Sequence, residues 1–193
     1  MDGISFQSTI RPVSKSQFNR IVMPYGIHRY VDYPWTIKES VLDKKAYTKH
    51  VYDCTVCGIT DGLKVLLMHI CPTIKQNQNF QKIADFIKTH FDLRNPDVQG
   101  FLLGSKINFM DKRSERVFEN FETLFEEHQV PYSKFKGGTH INDVAYSAET
   151  DEWIIGHDMG GNEKTMKSLK TPRNFFKKYF TEVQISNLDD TSW

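Results

Sequence analysis

The stretch His50-Val51-Tyr52-Asp53-Cys54-Thr55-Val56-Cys57, with Thr60-Asp61-Gly62 and Lys64-Val65-Leu66-Leu67-Met68-His69-Ile70-Cys71-Pro72 after it, decides the fold. Both flanking runs are β-prone. Asp-Gly between two such runs is a strong hairpin signal, because a type I′ turn needs positive φ at both central residues. Pro72 cannot donate to a strand ladder and ends the second run. With Asp61 and Gly62 as the two loop residues, Thr60 faces Leu63, and counting back along the ladder sets Cys54 opposite His69. Directly opposite residues of an antiparallel pair have Cβ atoms about 4.5–5.5 Å apart. That spacing brings a thiol to an imidazole, the arrangement of a thiolate–imidazolium nucleophile with its own proton donor.

Two other readings of the same residues stay open. Cys54 can be a small core hydrophobe and His69 a hydrogen-bonded sheet histidine. Alternatively, Cys54, Cys57, His69 and Cys71 offer three thiolates and an imidazole, a donor set suited to tetrahedral zinc. Strand alternation sets Cys54, His69 and Cys71 on one face and Cys57 on the other, which weighs against zinc. A thioredoxin-like pair at Cys54 and Cys57 is weaker still, because Cys57 leads toward a turn and not into a helix. No cofactor and no bound metal are therefore expected.

Working outward, apolar residues at helical spacing predict helices over Asn79–Leu93 (Phe80, Ile83, Ala84, Ile87, Phe91) and Ser114–His128 (Val117, Phe118, Phe121, Leu124, Phe125). Between them Val98–Gly104 reads as a buried strand. Val130–Phe135, Asp143–Ala148 and Glu152–Gly156 follow as strands, the last two joined by a polar turn at Glu149–Asp151. A short helix is expected from Pro172, with Thr171 as its cap. Residues 1–45 are rich in Ser, Gln, Arg and Pro and predict irregular structure with one or two strands, covering the domain. The expected fold is a strand-dominated mixed α/β sandwich with two or three helices.

The chain has 193 residues and a formal net charge of +1, from 25 basic and 24 acidic residues. So balanced a charge calls for neither nucleic acid nor an anionic membrane as partner. The longest apolar run, Val65–Cys71, is far too short to span a bilayer. The N-terminus lacks the pattern of a signal peptide. Together with three cysteines, an odd number, this points to reduced thiols in a cytosol.

Thr48, Cys54 and His69 resemble the Thr, Cys and His of the chemoreceptor glutamine deamidases (CheD). There a Thr precedes the nucleophile by six positions, as Thr48 precedes Cys54, and the His stands in a context similar to Leu67-Met68-His69-Ile70-Cys71-Pro72. Downstream, Arg116–Glu127, His128-Gln129-Val130-Pro131, Lys136-Gly137-Gly138-Thr139 and Val144–Trp153 follow the family's order of motifs. Tyr52-Asp53 stands where the family has Gly-Ser before the nucleophile, and Gly104-Ser105 where it has Gly-Gly. The resemblance covers Ala46 to Gly156 and extends to the cytotoxic necrotizing factor toxins, which share the Cys–His arrangement.

The resemblance implies a layered α+β sandwich of mixed, mostly antiparallel sheets with two to three packed helices. It divides the chain into an N-terminal extension (1–45), a cysteine hydrolase core (46–156) and a C-terminal extension with a short helix (157–193). It implies a protein-glutamine deamidase with Cys54 as nucleophile, His69 as base, and Thr48 orienting His69 or binding the oxyanion. The implied substrate is a glutamine-bearing protein. The enzyme would act in a bacterial cytoplasm or, as a delivered effector, in a host cytosol. Non-catalytic binding of a regulatory protein is the alternative.

Three other features read more simply. His140, after Gly137-Gly138, is a second candidate histidine, though the Gly pair reads first as a tight turn. Gly160-Gly161-Asn162-Glu163-Lys164 is a loop without the pattern of a phosphate cradle. Lys177-Lys178, among Phe175, Phe176, Tyr179 and Phe180, reads as the solvated face of a docking helix, and Cys71 as core filler.

Overall fold

The structure, a computed structural model, describes residues 8–22, 29–31, 41–51, 54–70, 80–104, 113–137, 142–157 and 180–186. Along the chain run β1 (Thr9–Ser14), α1 (Lys15–Val22), β2 (Arg29–Val31), β3 (Val41–Asp43), β4 (Lys45–Val51), β5 (Thr55–Thr60) and β6 (Val65–Ile70). They are followed by α2 (Phe80–His90), β7 (Gln99–Gly104), α3 (Arg113–Glu127), β8 (Tyr132–Gly137), β9 (Asn142–Ser147), β10 (Glu152–His157) and β11 (Phe180–Ser186). The result is an α+β fold of two mixed sheets and, among the described residues, three helices.

One sheet has the order β1-β10-β9-β4-β2, the other β11-β8-β7-β5-β6-β3. Most pairs are antiparallel; β1 with β10, β2 with β4 and β7 with β8 are parallel. Parallel neighbours need a crossover, and α3 supplies the one between β7 and β8.

Alternation along the strands sorts side chains into layers. Val56, Gly58, Val65, Leu67, His69, Phe101 and Leu103 of the larger sheet face Thr48, Val144, Tyr146, Trp153 and Ile155 of the smaller one. Across this interlayer Trp153 stacks on Phe101, ring centroids 4.4 Å apart. A Cβ on Gly58 would lie 2.0 Å from the Trp153 ring, so this layer spacing requires a glycine there. Behind the larger sheet, α3 and α2 bury Phe118, Phe121, Phe125, Ile83 and Ile87. Behind the smaller sheet, α1 buries Phe18 and Val22 with Ala145 and Ile154. The order of layers is helix, sheet, sheet, helix pair. Each of these large apolar side chains, fully buried, contributes about 1.5–3 kcal/mol.

Predicted helices and strands between Thr55 and His157 recur within a few residues of their expected limits. Upstream the structure differs. Residues from the N-terminal 45 form α1, which the sequence did not predict, and three edge strands: β1 and β2 flank the smaller sheet and β3 the larger. Buried Ser8 ties this segment down. Its hydroxyl donates to Asp151 Oδ1 at 2.6 Å and its N–H to Gln99 Oε1 at 2.9 Å. The strand β11, paired with β8, was also not foreseen. The predicted helix at Pro172, the Gly160–Lys164 loop, Lys177-Lys178, His140 and Cys71 lie outside the described residues.

Candidate active site

The hairpin forms, but with a different register. Val56 pairs with His69, Thr55 with Ile70 and Thr60 with Val65. Cys54 is therefore not opposite His69, which corrects the expectation from a two-residue turn. The reason lies in the loop, which is Asp61-Gly62-Leu63-Lys64. Gly62 has φ 79°, whereas Asp61 is not among the residues with positive φ, so a type I′ turn is absent. Side chains close the turn instead: Asp61 Oδ1 accepts the N–H groups of Leu63 and Lys64, both at 3.0 Å, and Thr60 Oγ1 accepts that of Gly62. An Asp bonding the backbone two residues on is the local alternative to a glycine-type turn.

The slip moves the ladder by an even number of residues, so no side chain changes face. Cys54 stands one position before β5, and strand alternation continued by one step puts it in phase with Val56 and diagonal to His69. Diagonal neighbours lie about 7–8 Å apart at Cα, farther than directly opposite ones.

The run read as one strand from His50 to Cys57 is in fact two. His50 and Val51 close β4 in the smaller sheet, whereas Thr55 opens β5 in the larger one. Cys54 sits just past this passage from layer to layer. Its carbonyl abuts β7: a Cβ on Gly104, whose φ is +144°, would lie 2.2 Å from Cys54 O. The single glycine of Gly104-Ser105 thus holds β7 against the backbone of Cys54.

Thr48 and His69 meet across the layers. Thr48 faces inward from β4 and His69 from β6, and Thr48 Oγ1 lies 2.7 Å from His69 Nδ1 in the buried interior. Protonated at Nδ1, the imidazole donates that hydrogen to Thr48 Oγ1, which fixes the ring and leaves Nε2 to exchange a proton. Cys54 is 3% exposed and His69 1%.

Cys57 faces the helix layer and is fully buried. Burial pushes its thiol well above the usual cysteine range, as expected of an inert core residue. Neither Cys54 nor Cys57 is in a disulfide. No three His, Cys, Asp or Glu side chains come together to hold a metal ion among the described residues. Cys57 and His69 lie on opposite faces of one sheet, so they cannot share a zinc ion.

Two residues near the site escaped the sequence. Asn142, paired with Val51, is buried on the same strand face as Val144. Asp143 is buried on the opposite face, and its Oδ1 accepts the N–H of His50 at 2.9 Å. Burial raises the Asp143 carboxyl above the usual range, against the pull of the His50 N–H and of the Lys15, His50 and Lys49 charges. The sequence reads Asp143 as the first residue of a strand, and no pattern in it announces the burial of Asp143 or of Asn142.

No family model matches the chain, and no curated protein matches it. Among the described residues no helix is long and apolar enough to cross a membrane.

Proposed function

We propose that the chain is a cysteine hydrolase acting on the carboxamide of a protein-bound glutamine. Cys54 is the nucleophile, His69 the acid and base, and Thr48 the residue that orients His69. The observation that carries this reading is the Thr48–His69 contact at 2.7 Å, formed between two different sheets. A threonine hydroxyl on Nδ1 is the partner an imidazole needs if Nε2 is to exchange a proton with a thiol. The order of Thr48, Cys54 and His69 and the mixed two-sheet fold agree with the resemblance to the chemoreceptor glutamine deamidases.

In this scheme the Cys54 thiolate attacks the amide carbon. The imidazolium of His69 gives its Nε2 proton to the leaving nitrogen, ammonia departs, and a thioester remains. Water then attacks the thioester while Nε2 takes its proton, the thiolate leaves, and glutamate is formed. Backbone N–H groups beside Cys54 are the natural donors to the oxyanion. The test is ammonia release from a glutamine-bearing protein together with the mass gain of amide-to-acid conversion. Both are expected with the unaltered protein and neither with Cys54→Ala. Ammonia release that persists in Cys54→Ala overturns the scheme.

A second reading rests on burial. With Cys54 3% and His69 1% exposed, the pair also suits a structural role in a member of the same fold that only binds a protein. Iodoacetamide separates the two. A hydrolase alkylates at Cys54 well before Cys57, whereas a purely structural pair leaves the two thiols equally slow.

A further inference from the structure

The ladder between β4 and β9 contains one irregularity. Thr48 pairs with Val144 and Val51 with Asn142, so Lys49 and His50 together oppose the single residue Asp143. This is a β-bulge, and His50 carries its strain at φ 60°. The bulge has a large consequence for orientation. In a regular strand Thr48 and Val51 would face opposite ways. Here both are buried, at 0% and 1% exposure, and both belong on the side that faces the other sheet.

The bulged N–H of His50 is held by a side chain and not by the ladder: it donates to Asp143 Oδ1 at 2.9 Å. Asp143 is fully buried, and its other oxygen, Oδ2, has no hydrogen-bond partner among the described residues.

Resting on the hydrolase reading, we propose that Asp143 is a positioning residue, whose carboxyl clamps the β4 bulge and thereby sets Thr48 against His69. It acts from the α1 side of the sheet, through the backbone of His50, without touching the site.

The test uses the full chain with two readouts at neutral pH: the ¹⁵N shifts of the His69 ring, which report its tautomer, and the rate of Cys54 alkylation. Asp143→Asn keeps an acceptor for His50 and is expected to match the unaltered protein in both. Asp143→Ala is expected to give a mixture of His69 tautomers and alkylation about tenfold slower, equivalent to one unit of thiol pKa. Adding His50→Gly, which adopts positive φ without strain, should restore the single tautomer. A folded Asp143→Ala protein with unchanged tautomer and rate overturns the proposal. Failure of both Asp143→Ala and the double variant to fold also overturns it, by making Asp143 a residue of general stability. The tautomer is read without any reaction at Cys54. A sluggish Cys54 in the unaltered protein would therefore count against the hydrolase reading alone.

Discussion

Thr48 and His69 sit on facing sheets, and the 2.7 Å between Thr48 Oγ1 and His69 Nδ1 makes them a polar link across an apolar interlayer. Such a link is costly to break on one side only, because the remaining group is left buried without its partner.

Thr48→Val keeps the shape and removes the hydroxyl. Stability should fall by about 1–3 kcal/mol, and Cys54 alkylation should slow by about tenfold or more as the imidazole loses its fixed tautomer. Thr48→Ser should retain most of both. Combining Thr48→Val with His69→Ala should cost little beyond His69→Ala alone, which a double-mutant cycle on urea midpoints and alkylation rates will show.

The two described thiols should differ in pH behaviour. Burial holds the Cys57 thiol protonated far above the usual range, while an unfolded cysteine ionises near about 8.5. The folded protein therefore binds this proton more tightly than the unfolded chain does. Stability from this source is complete below about 8.5 and is lost as pH rises beyond it. Thermal unfolding followed upward from neutral pH should show this decline, and Cys57→Ala should flatten it while lowering stability throughout.

Asp143 gives the opposite end of the pH scale. Its carboxyl is raised in the folded state by burial. The associated stability is present below the unfolded value of about 3.9 and is lost as pH rises through the folded one. Asp143→Asn does not titrate. Its stability relative to the unaltered protein should therefore rise from acid to neutral pH, as measured by urea unfolding across that range.

Two glycines should rank very differently. Gly62, at φ 79°, has open space around it, so Gly62→Ala should cost only about 1 kcal/mol of backbone strain. Gly104, at φ +144°, would drive a Cβ into the Cys54 carbonyl, so Gly104→Ala should cost about 2–4 kcal/mol. Only the second should also change the rate of Cys54 alkylation.

The sequence made some of this legible and concealed the rest for physical reasons. The amphipathic spacing of Ile83, Ala84 and Ile87, and of Phe118, Phe121 and Phe125, announced α2 and α3, because one face of each is buried. The strands between Val98 and Gly156 were likewise readable, as short β-prone runs between turns and helices. The hairpin was legible as a hairpin but not in register, because Asp61 could serve either a glycine-type turn or a side-chain-closed loop. The pairing of Thr48 with His69 is an inter-sheet contact between residues 21 apart, which no local pattern encodes. His50-Val51 and Thr55-Val56 belong to different sheets, and the bulge before Val51 is bonded to Asp143, far away in sequence, so neither feature has a local signature. Residues such as Arg11 and Pro12 hid a strand, because β1 is an edge that needs only one hydrogen-bonded neighbour.

The indole of Trp153 rests where Gly58 has no side chain, and that contact works as a gauge for the interior. Thr48 hangs from one sheet and His69 from the other, so the distance between their polar atoms can be no better defined than the gap between the sheets. An aromatic ring seated on bare backbone sets that gap with very little slack. The reactivity of the imidazole is thus tied to apolar residues that touch neither it nor the thiol, and a methyl group added at Gly58 would be felt first as a loosened hydrogen bond at Thr48.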